Sequence, residues 1–214
     1  MANEPILPAE ESSVETVNKA RKIMMWATIA VAIVVIGVLL YIFAYKQPAV
    51  AKGNEAIGEA DRIAMFEGND SIALAAYEAV VANHGFDAGN RAALESAIIL
   101  YRQGEYQKAL DYVEKYSATD NVVAPLAYGL KGDCLVNLDK FAEAVKAFNK
   151  AISASDNNPQ LVPYFLQKKA VVLCAEGNYA EAAQAYKEIE EKYPFYAQRA
   201  GIEGRRIQAE AQAK

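Results

Sequence analysis

Side chains that carry acid–base or metal chemistry are scarce in this chain of 214 residues. It has one histidine, His84, and two cysteines, Cys134 and Cys174. His84 ends a predicted helix before Gly85, where we interpret it as a residue that interacts with the helix dipole. No second histidine remains to build a Ser-His-Asp set or a metal site. The sequence therefore predicts a protein that is not an enzyme and holds no metal or cofactor.

The charge pattern argues against a nucleic-acid partner. The net charge is −5, and Lys and Arg are spread among acidic residues without forming a dense patch. A stripe that neutralises phosphates is missing, so nucleic-acid binding is not expected. No stretch is convincing as a β-strand, and no Gly-rich phosphate loop follows one. The chain is predicted to be all-α.

The two cysteines fall in two predicted helices that each precede a copy of a phrase repeated along the chain. Both are explained as small buried hydrophobic residues. An oxidising compartment would also allow a disulfide between the two helices. That bond needs Cα atoms within about 7 Å, and Cys134 and Cys174 occupy non-equivalent positions in their helices. The sequence leaves both states open.

One phrase of the sequence occurs three times and predicts three similar helices. The copies are QGEYQKALDYVEKY at 103–116, LDKFAEAVKAFNKAI at 138–152 and EGNYAEAAQAYKEI at 176–189. In each copy an aromatic residue is followed by Ala after three residues and by a larger residue after seven. These residues are Tyr106, Ala109 and Val113, then Phe141, Ala144 and Phe148, then Tyr179, Ala182 and Tyr186. The spacings put them on one helical face, where the small Ala lets a second helix approach.

Each phrase begins with a turn and follows another predicted helix. Gly104 and Gly177 stand two residues before the aromatic, where a helix-to-helix turn favours positive φ, and Asp139 takes that place in the second copy. Apolar periodicity predicts the preceding helices at 90–102, 123–137 and 160–175. The aromatic residues are 35 and then 38 positions apart. A period of this size is typical of stacked helical pairs that bury one another's apolar faces.

The helix–turn–helix unit resembles the tetratricopeptide repeat. The middle unit matches the family pattern with Tyr128 and Gly132 in its first helix and with Ala144, Phe148 and Ala151 in its second. The last unit matches with Tyr179, Ala182, Tyr186 and Pro194, whereas Ala170 replaces the first-helix Gly. A degenerate first pair has EGNDSIALAAYEAV as its second half. The resemblance implies a helical solenoid of three clear pairs and one degenerate pair, closed by a capping helix at 196–212.

The alignment places the first helix of each pair on the concave side of the solenoid. The residues predicted there as a partner-binding groove are Leu94, Ile98, Tyr101, Leu126, Asp133, Tyr164, Gln167 and Val171, with Gly129 and Val136 on the same side. The set is apolar and aromatic. It lacks the Lys and Asn groups with which some tetratricopeptide proteins clamp a C-terminal carboxylate, so no such clamp is predicted. Either these residues form an open groove, or the C-terminal helix covers them as core.

A membrane anchor is predicted before the repeats. Residues 23–45, IMMWATIAVAIVVIGVLLYIFAY, contain no charged side chain. As a helix they would span about 34 Å, enough for a bilayer core, with Trp26, Tyr41 and Tyr45 at its interfaces. The length favours an uncleaved signal anchor over a signal peptide, although AVA at 49–51 fits a cleavage pattern. The predicted organisation is a cytoplasmic segment at 1–22, the transmembrane anchor at 23–45, a linker at 46–53 and the repeat domain at 54–214.

Charges and small residues near the anchor predict its orientation and a packing face. The basic residues Lys19, Arg21 and Lys22 directly precede the span, so the N-terminus is predicted to be cytoplasmic and the repeat domain to lie outside the cytoplasm. Small residues recur at intervals of seven within the span: Ala30, Gly37 and Ala44. This stripe is predicted to pack against a transmembrane helix of a partner subunit.

The whole layout resembles the YfgM-like ancillary subunit of the bacterial Sec translocon. The similar stretches are EGNDSIALAAY soon after the anchor, NRAALESAIILYRQGEYQKALDYVEKY, and the tail YPFYAQRAGIEGRRIQAEAQ. The early Asp-Ser segment is most similar to the version found in Bacteroidetes-type bacteria. The resemblance implies a single-pass inner-membrane protein with a periplasmic repeat domain. It implies as partners the translocon's membrane subunits, a membrane-anchored periplasmic prolyl-isomerase-like chaperone and exported client chains.

Two other function classes compete with this hypothesis. One is a tetratricopeptide scaffold of another envelope machine, such as outer-membrane or cell-wall assembly. The identity of co-purifying proteins would separate it from a translocon subunit. The other is an enzyme, against which the lack of an acid–base or metal constellation argues.

Overall fold

The chain folds as an all-helical protein, as the sequence predicts. The computed structural model describes residues 9–66, 68–118 and 122–214, and every regular element within these ranges is a helix. The helices are α1 Ala9–Leu40, a π-helix Tyr41–Lys46, α2 Gln47–Phe66, α3 Asp70–Asn83, α4 Phe86–Arg102, α5 Tyr106–Val113, α6 Ala124–Asn137, α7 Phe141–Ala154, α8 Leu161–Ala175, α9 Tyr179–Lys192, α10 Pro194–Ala200 and α11 Ile202–Gln212. The described residues divide into two compact units, one that ends at Ala51 and one that begins at Lys52.

The first unit contains the apolar stretch predicted as an anchor. α1 begins at Ala9 and continues without a break past residue 22, while residues 1–8 of the predicted cytoplasmic segment lie outside the described residues. One helical stretch of the described chain is long and apolar enough to cross a membrane, and none of its apolar window is buried. The Thr28 hydroxyl donates to the Met24 carbonyl at 2.8 Å. This polar group therefore needs no water as a partner.

The stretch predicted as a linker, residues 46–53, is helical. Lys46 ends the π-helix, and α2 runs from Gln47 to Phe66. The wider π-turn directly precedes Pro48, whose ring and missing N–H would disrupt an ordinary α-helix. Gly53 is buried, and a Cβ there would lie 2.9 Å from the Cβ of Ala88. The proline thus follows a π-turn of a continuing helix, and the glycine marks a close helix contact.

The second unit is a stack of helical pairs, α2–α3, α4–α5, α6–α7 and α8–α9. Three consecutive apolar clusters hold it together: the first joins α2, α3 and α4, the second extends from α4 to α8, and the third from α8 to α11. Each cluster is shared by neighbouring pairs, so no pair buries its apolar face alone. In α3, buried Ala73 and Tyr77 take the places of the Ala and the larger residue of the other copies. The predicted stacking of pairs is confirmed.

Three turns between paired helices share one backbone geometry. The residues predicted to need positive φ have it: Gly104 at +79°, Asp139 at +57° and Gly177 at +79°. In each turn the next residue's N–H donates to a carbonyl five residues back, from Glu105 to Leu100, from Lys140 to Leu135 and from Asn178 to Leu173, at 3.0, 2.9 and 2.8 Å. These bonds satisfy carbonyls at the helix C-terminus. The aromatic residue then begins the next helix in every copy.

The second helices pack as the repeated phrase predicts. The three alanines, Ala109, Ala144 and Ala182, are fully buried. The ring of Phe148 lies against Gly132 of α6, where a Cβ would come within 2.6 Å of the ring. Glycine is required at this position because the facing ring occupies the space of a side chain.

The C-terminal segment forms two helices, not the single capping helix predicted at 196–212. Gly201, at φ +62°, separates α10 from α11. α11 packs against α9 through Ile202 and Ala209, which are buried in the third cluster. Arg206 Nε also donates to Glu190 Oε2 at 2.8 Å. A left-handed glycine permits the change of direction that this packing needs.

Both cysteines are free thiols. Cys134 is buried in the second cluster, whereas Cys174 is half-buried and packs against the third. Burial raises the pKa of the Cys134 thiol to about 12 and also raises that of Cys174. Both are therefore protonated and act as small hydrophobic residues at neutral pH.

Candidate functional site

The predicted groove residues lie on α4, α6 and α8, and most of them reach solvent. Leu126, Tyr164, Val171 and Ile98 are exposed, and Tyr101, Asp133 and Gln167 are half-buried. The predicted groove is corrected at Leu94, which is only 8% exposed and belongs to the second core cluster. Gly129 is likewise buried, against the ring of Phe165. The exposed strip of α4 passes through Arg91, Ile98 and Arg102 instead of Leu94.

Four of the predicted residues line one cavity of about 340 Å³. The cavity lies among α6, α8 and α10, with one residue of α7, Phe148, at its base. Its lining residues are Asp133, Val136, Phe148, Tyr164, Gln167, Lys168, Val171, Val172 and Tyr196. Phe148 and Val172 are buried, whereas Tyr164 is 41% and Val171 47% exposed. The cavity thus has an apolar base and an open aromatic rim.

An ion pair crosses the cavity from α6 to α8. Lys168 Nζ donates to both carboxylate oxygens of Asp133, at 2.7 and 2.8 Å, and lies 5.1 Å from the centre of the Tyr164 ring. Burial raises the pKa of Asp133, although the hydrogen bond and charge of Lys168 oppose this effect. Burial lowers the pKa of Lys168, but its hydrogen bonds to Asp133 and Tyr164 outweigh this and raise it overall. The raised pKa of Lys168 keeps its ammonium group protonated at neutral pH.

The C-terminal segment contributes one wall of the cavity but does not cover the groove residues. The Tyr196 hydroxyl of α10 donates to Gln167 Oε1 of α8 at 2.8 Å. α11 packs against α9, and the exposed side chains of Leu126, Tyr164 and Val171 remain accessible. Of the two arrangements that the sequence allows, the structure is nearer to the open groove.

A model of the tetratricopeptide repeat-like domain matches residues 61–170, which is 110 of the 214 residues. This chain belongs to the tetratricopeptide-repeat family. A second tetratricopeptide repeat model matches residues 164–195, which include most of α8 and all of α9. The matched ranges together contain all the predicted groove residues and every residue that lines the cavity except Tyr196.

A curated relative supports the same assignment. TPR repeat-containing protein MJ1428 of Methanocaldococcus jannaschii is 32% identical over 89 residues. The match covers 42% of this chain and 15% of that protein. The tetratricopeptide unit described here therefore corresponds to a small part of the relative's length.

Solved structures share the fold. A crystal structure of MamA has a TM-score of 0.54 at 18% identity and covers 72% of this chain and 91% of that one. A second MamA crystal structure has a TM-score of 0.55 at 17% identity, with coverages of 75% and 89%. At such low identities the likeness shows the fold alone.

Polar contacts join each first helix of the tetratricopeptide unit to the next. Arg91 of α4 pairs with Asp61 of α2 at 2.8 Å, and Asn137 of α6 donates to the Tyr101 hydroxyl of α4 at 3.3 Å. The Lys168–Asp133 pair joins α8 to α6, and the Tyr196–Gln167 bond joins α10 to α8. These polar contacts lie beside the groove and connect α2, α4, α6, α8 and α10 in that order.

Sequence reasoning missed Lys168 and Tyr196. Lys168 stands four residues after Tyr164, so a full i, i+3, i+4, i+7 stripe would have included it. Lys168 adds a cation to the groove, but Asp133 pairs with this cation, so the expectation of no carboxylate clamp stays a prediction. Tyr196 carries no such signal, since its position depends on how α10 returns to α8.

Tetratricopeptide repeats serve as protein-interaction modules, and the unit is accordingly a protein-interaction scaffold. Folds of this kind are typically non-catalytic. The groove offers shape, aromatic surface and hydrogen-bonding groups. Its chemistry suits the binding of another polypeptide.

Proposed function

We propose that this protein is a membrane-anchored periplasmic scaffold that acts as an accessory subunit of the Sec translocon. Its groove would hold exported client chains, and its partners would be the translocon's membrane subunits and a membrane-anchored prolyl-isomerase-like chaperone. The proposal rests on two features of the chain: an apolar helix near the N-terminus, and an interaction scaffold that follows it. The resemblance of the layout to YfgM-like subunits supports the choice of the translocon.

The apolar helix is the observation that carries this proposal. The 23 residues at 23–45 have no charge, and large side chains such as Ile33, Val34 and Leu40 are each more than 60% exposed. A contiguous apolar surface of this length is costly in water. A lipid bilayer removes this cost, because the apolar side chains then contact lipid tails instead of water. The helix also adds no backbone cost in lipid, because its N–H and C=O groups are hydrogen-bonded to one another.

The basic residues before the helix support an orientation with the repeat unit in the periplasm. Lys19, Arg21 and Lys22 precede the span, whereas Lys46 and Lys52 alone follow closely. We expect a reporter that is active only in the periplasm to work when fused after Lys214. A cytoplasm-specific reporter at the same position is the matched control. Activity of the cytoplasmic reporter with silence of the periplasmic one would reverse the orientation.

Purification of the full chain from membranes in mild detergent tests the function. We expect the translocon's membrane subunits and a prolyl-isomerase-like chaperone among the co-purifying proteins. Recovery of outer-membrane or cell-wall assembly proteins in their place would favour the alternative, a scaffold of another envelope machine. A variant with the span replaced by an unrelated transmembrane helix controls for detergent carry-over.

The small-residue stripe is proposed to dock on a partner's transmembrane helix. Ala30 and Gly37 lie in α1, and Ala44 lies in the π-helix that follows. Apart from its chain neighbours and the nearby backbone of its own helix, no described atom lies within 4 Å of a Cβ built on Gly37, so this side is open for close approach. Gly37→Ile should reduce the co-purified partner while Val38→Ile, a neighbouring change, leaves it unchanged. Equal yields would restrict the contact to the repeat unit.

A further inference from the structure

We infer that the cavity among α6, α8 and α10 is a pocket for one uncharged aromatic side chain of a bound polypeptide. This inference deepens the proposed scaffold function and depends on it for the biological source of the polypeptide. The C-terminal segment is then part of the binding site, because Tyr196 of α10 forms one of its walls. α10 thus has a role besides closing the repeat stack.

Size and lining favour an aromatic occupant. The volume of about 340 Å³ lies at the lower end of the range for ligand pockets, which suits a side chain rather than a larger body. Phe148 and Val172 give the base an apolar surface, and the rings of Tyr164 and Tyr196 stand at the rim. Aromatic rings prefer offset or edge-to-face neighbours, and an entering ring would meet the rings of Tyr164 and Tyr196 among the lining residues.

The electrostatics exclude a charged occupant. The one cation and the one carboxylate among the lining residues, Lys168 and Asp133, are bonded to each other at 2.7 Å. An entering carboxylate would have to draw Lys168 away from Asp133, and an entering amine would have to draw Asp133 away from Lys168. Either exchange leaves one partly buried charge without a partner, which is unfavourable. A neutral ring disturbs neither group.

Gln167 supplies a contact for the backbone of the bound chain. Its Oε1 accepts the hydrogen bond from Tyr196, which fixes the orientation of the carboxamide. No described residue accepts a hydrogen bond from the Gln167 amide nitrogen, which is therefore available to donate to a bound chain. A backbone carbonyl next to the bound aromatic residue is a suitable acceptor.

The test uses the full chain in lipid nanodiscs and the probe N-acetyl-4-fluorophenylalaninamide, whose fluorine signal broadens on binding. We expect broadening with the native chain and its loss with Val171→Trp, which fills the pocket from an exposed position. Ile207→Trp is the control, since Ile207 is similarly exposed at 53% but lies outside the pocket. Equal broadening by the native chain and Val171→Trp overturns the inference.

Competition tests the chemical class of the occupant. N-acetyl-phenylalaninamide should displace the probe, N-acetyl-leucinamide several-fold more weakly, and the lysine and glutamate analogues at least about tenfold more weakly. Asp133→Asn should free the charge of Lys168 and make the glutamate analogue a competitor. Equal competition by all four analogues, or an unchanged ranking in Asp133→Asn, would contradict the assignment. Probe binding without any co-purified translocon would support the pocket and reject the proposed function. Co-purification of the translocon without probe binding would reject the pocket alone.

Discussion

Phe148→Ala is expected to lower the free energy of unfolding of the repeat unit by about 3–5 kcal/mol. Phe148 is only 1% exposed and belongs to the largest of the three core clusters. Its ring lies against Gly132, so α6 has no side chain there that could move into the vacated space. The substitution removes the apolar contacts of the ring and leaves a cavity at the junction of α6, α7 and α8.

Urea unfolding of residues 52–214, followed by far-ultraviolet circular dichroism, measures this loss. Phe195→Ala is the matched control, because it makes the same chemical change at a side chain that is 89% exposed. We expect the control to change the free energy of unfolding by less than about 0.5 kcal/mol. A similar loss in both variants would mean that Phe148 is not a core residue.

Ala144→Leu is expected to destabilise the same unit by about 1–3 kcal/mol, for the opposite reason. Ala144 is fully buried where α7 approaches α6, and a leucine there must push the helices apart or adopt an unfavourable rotamer. Alanine and leucine have similar helix propensities, so the local helix is not weakened. The loss would therefore report the closeness of the two helices.

Ala142→Leu provides the control on the same helix, since Ala142 is exposed. The pair Ala182→Leu and Ala180→Leu repeats the comparison in α9, where the first residue is buried and the second exposed. The buried position should show the larger decrease in the urea midpoint in both helices. If the exposed variants lose as much stability as the buried ones, the alignment of the repeats would be wrong.

The first of these predictions concerns a residue that also shapes the candidate pocket. Phe148 belongs both to the core and to the base of the cavity. Its replacement should therefore weaken binding of an aromatic probe as well as stability. Val171→Trp separates the two effects, because Val171 lies at the exposed rim and contributes little to the core.

The sequence by itself determined the features that depend on residues close together in the chain. The positive φ at Gly104, Asp139 and Gly177 follows from which side chains tolerate that backbone region. The buried faces of the second helices follow from spacings of three and four residues, as with Ala144 and Phe148. Both signals span at most a few helical turns, and they recur once per repeat.

Only the tertiary structure decided which residues of the first helices face solvent. Each of these helices has neighbouring helices on both sides. The angles at which the neighbours cross the helix decide which of its residues they cover and which stay exposed. Leu94 is buried and Ile98 exposed for this reason, although both fit the same periodicity. Likewise Asp133 meets Lys168, 35 residues away, and Gln167 meets Tyr196 after the chain turns back through α9 and Tyr193. Periodicity records the faces of one helix, whereas these pairings depend on the distances and angles between helices, and therefore arise only when the pairs stack.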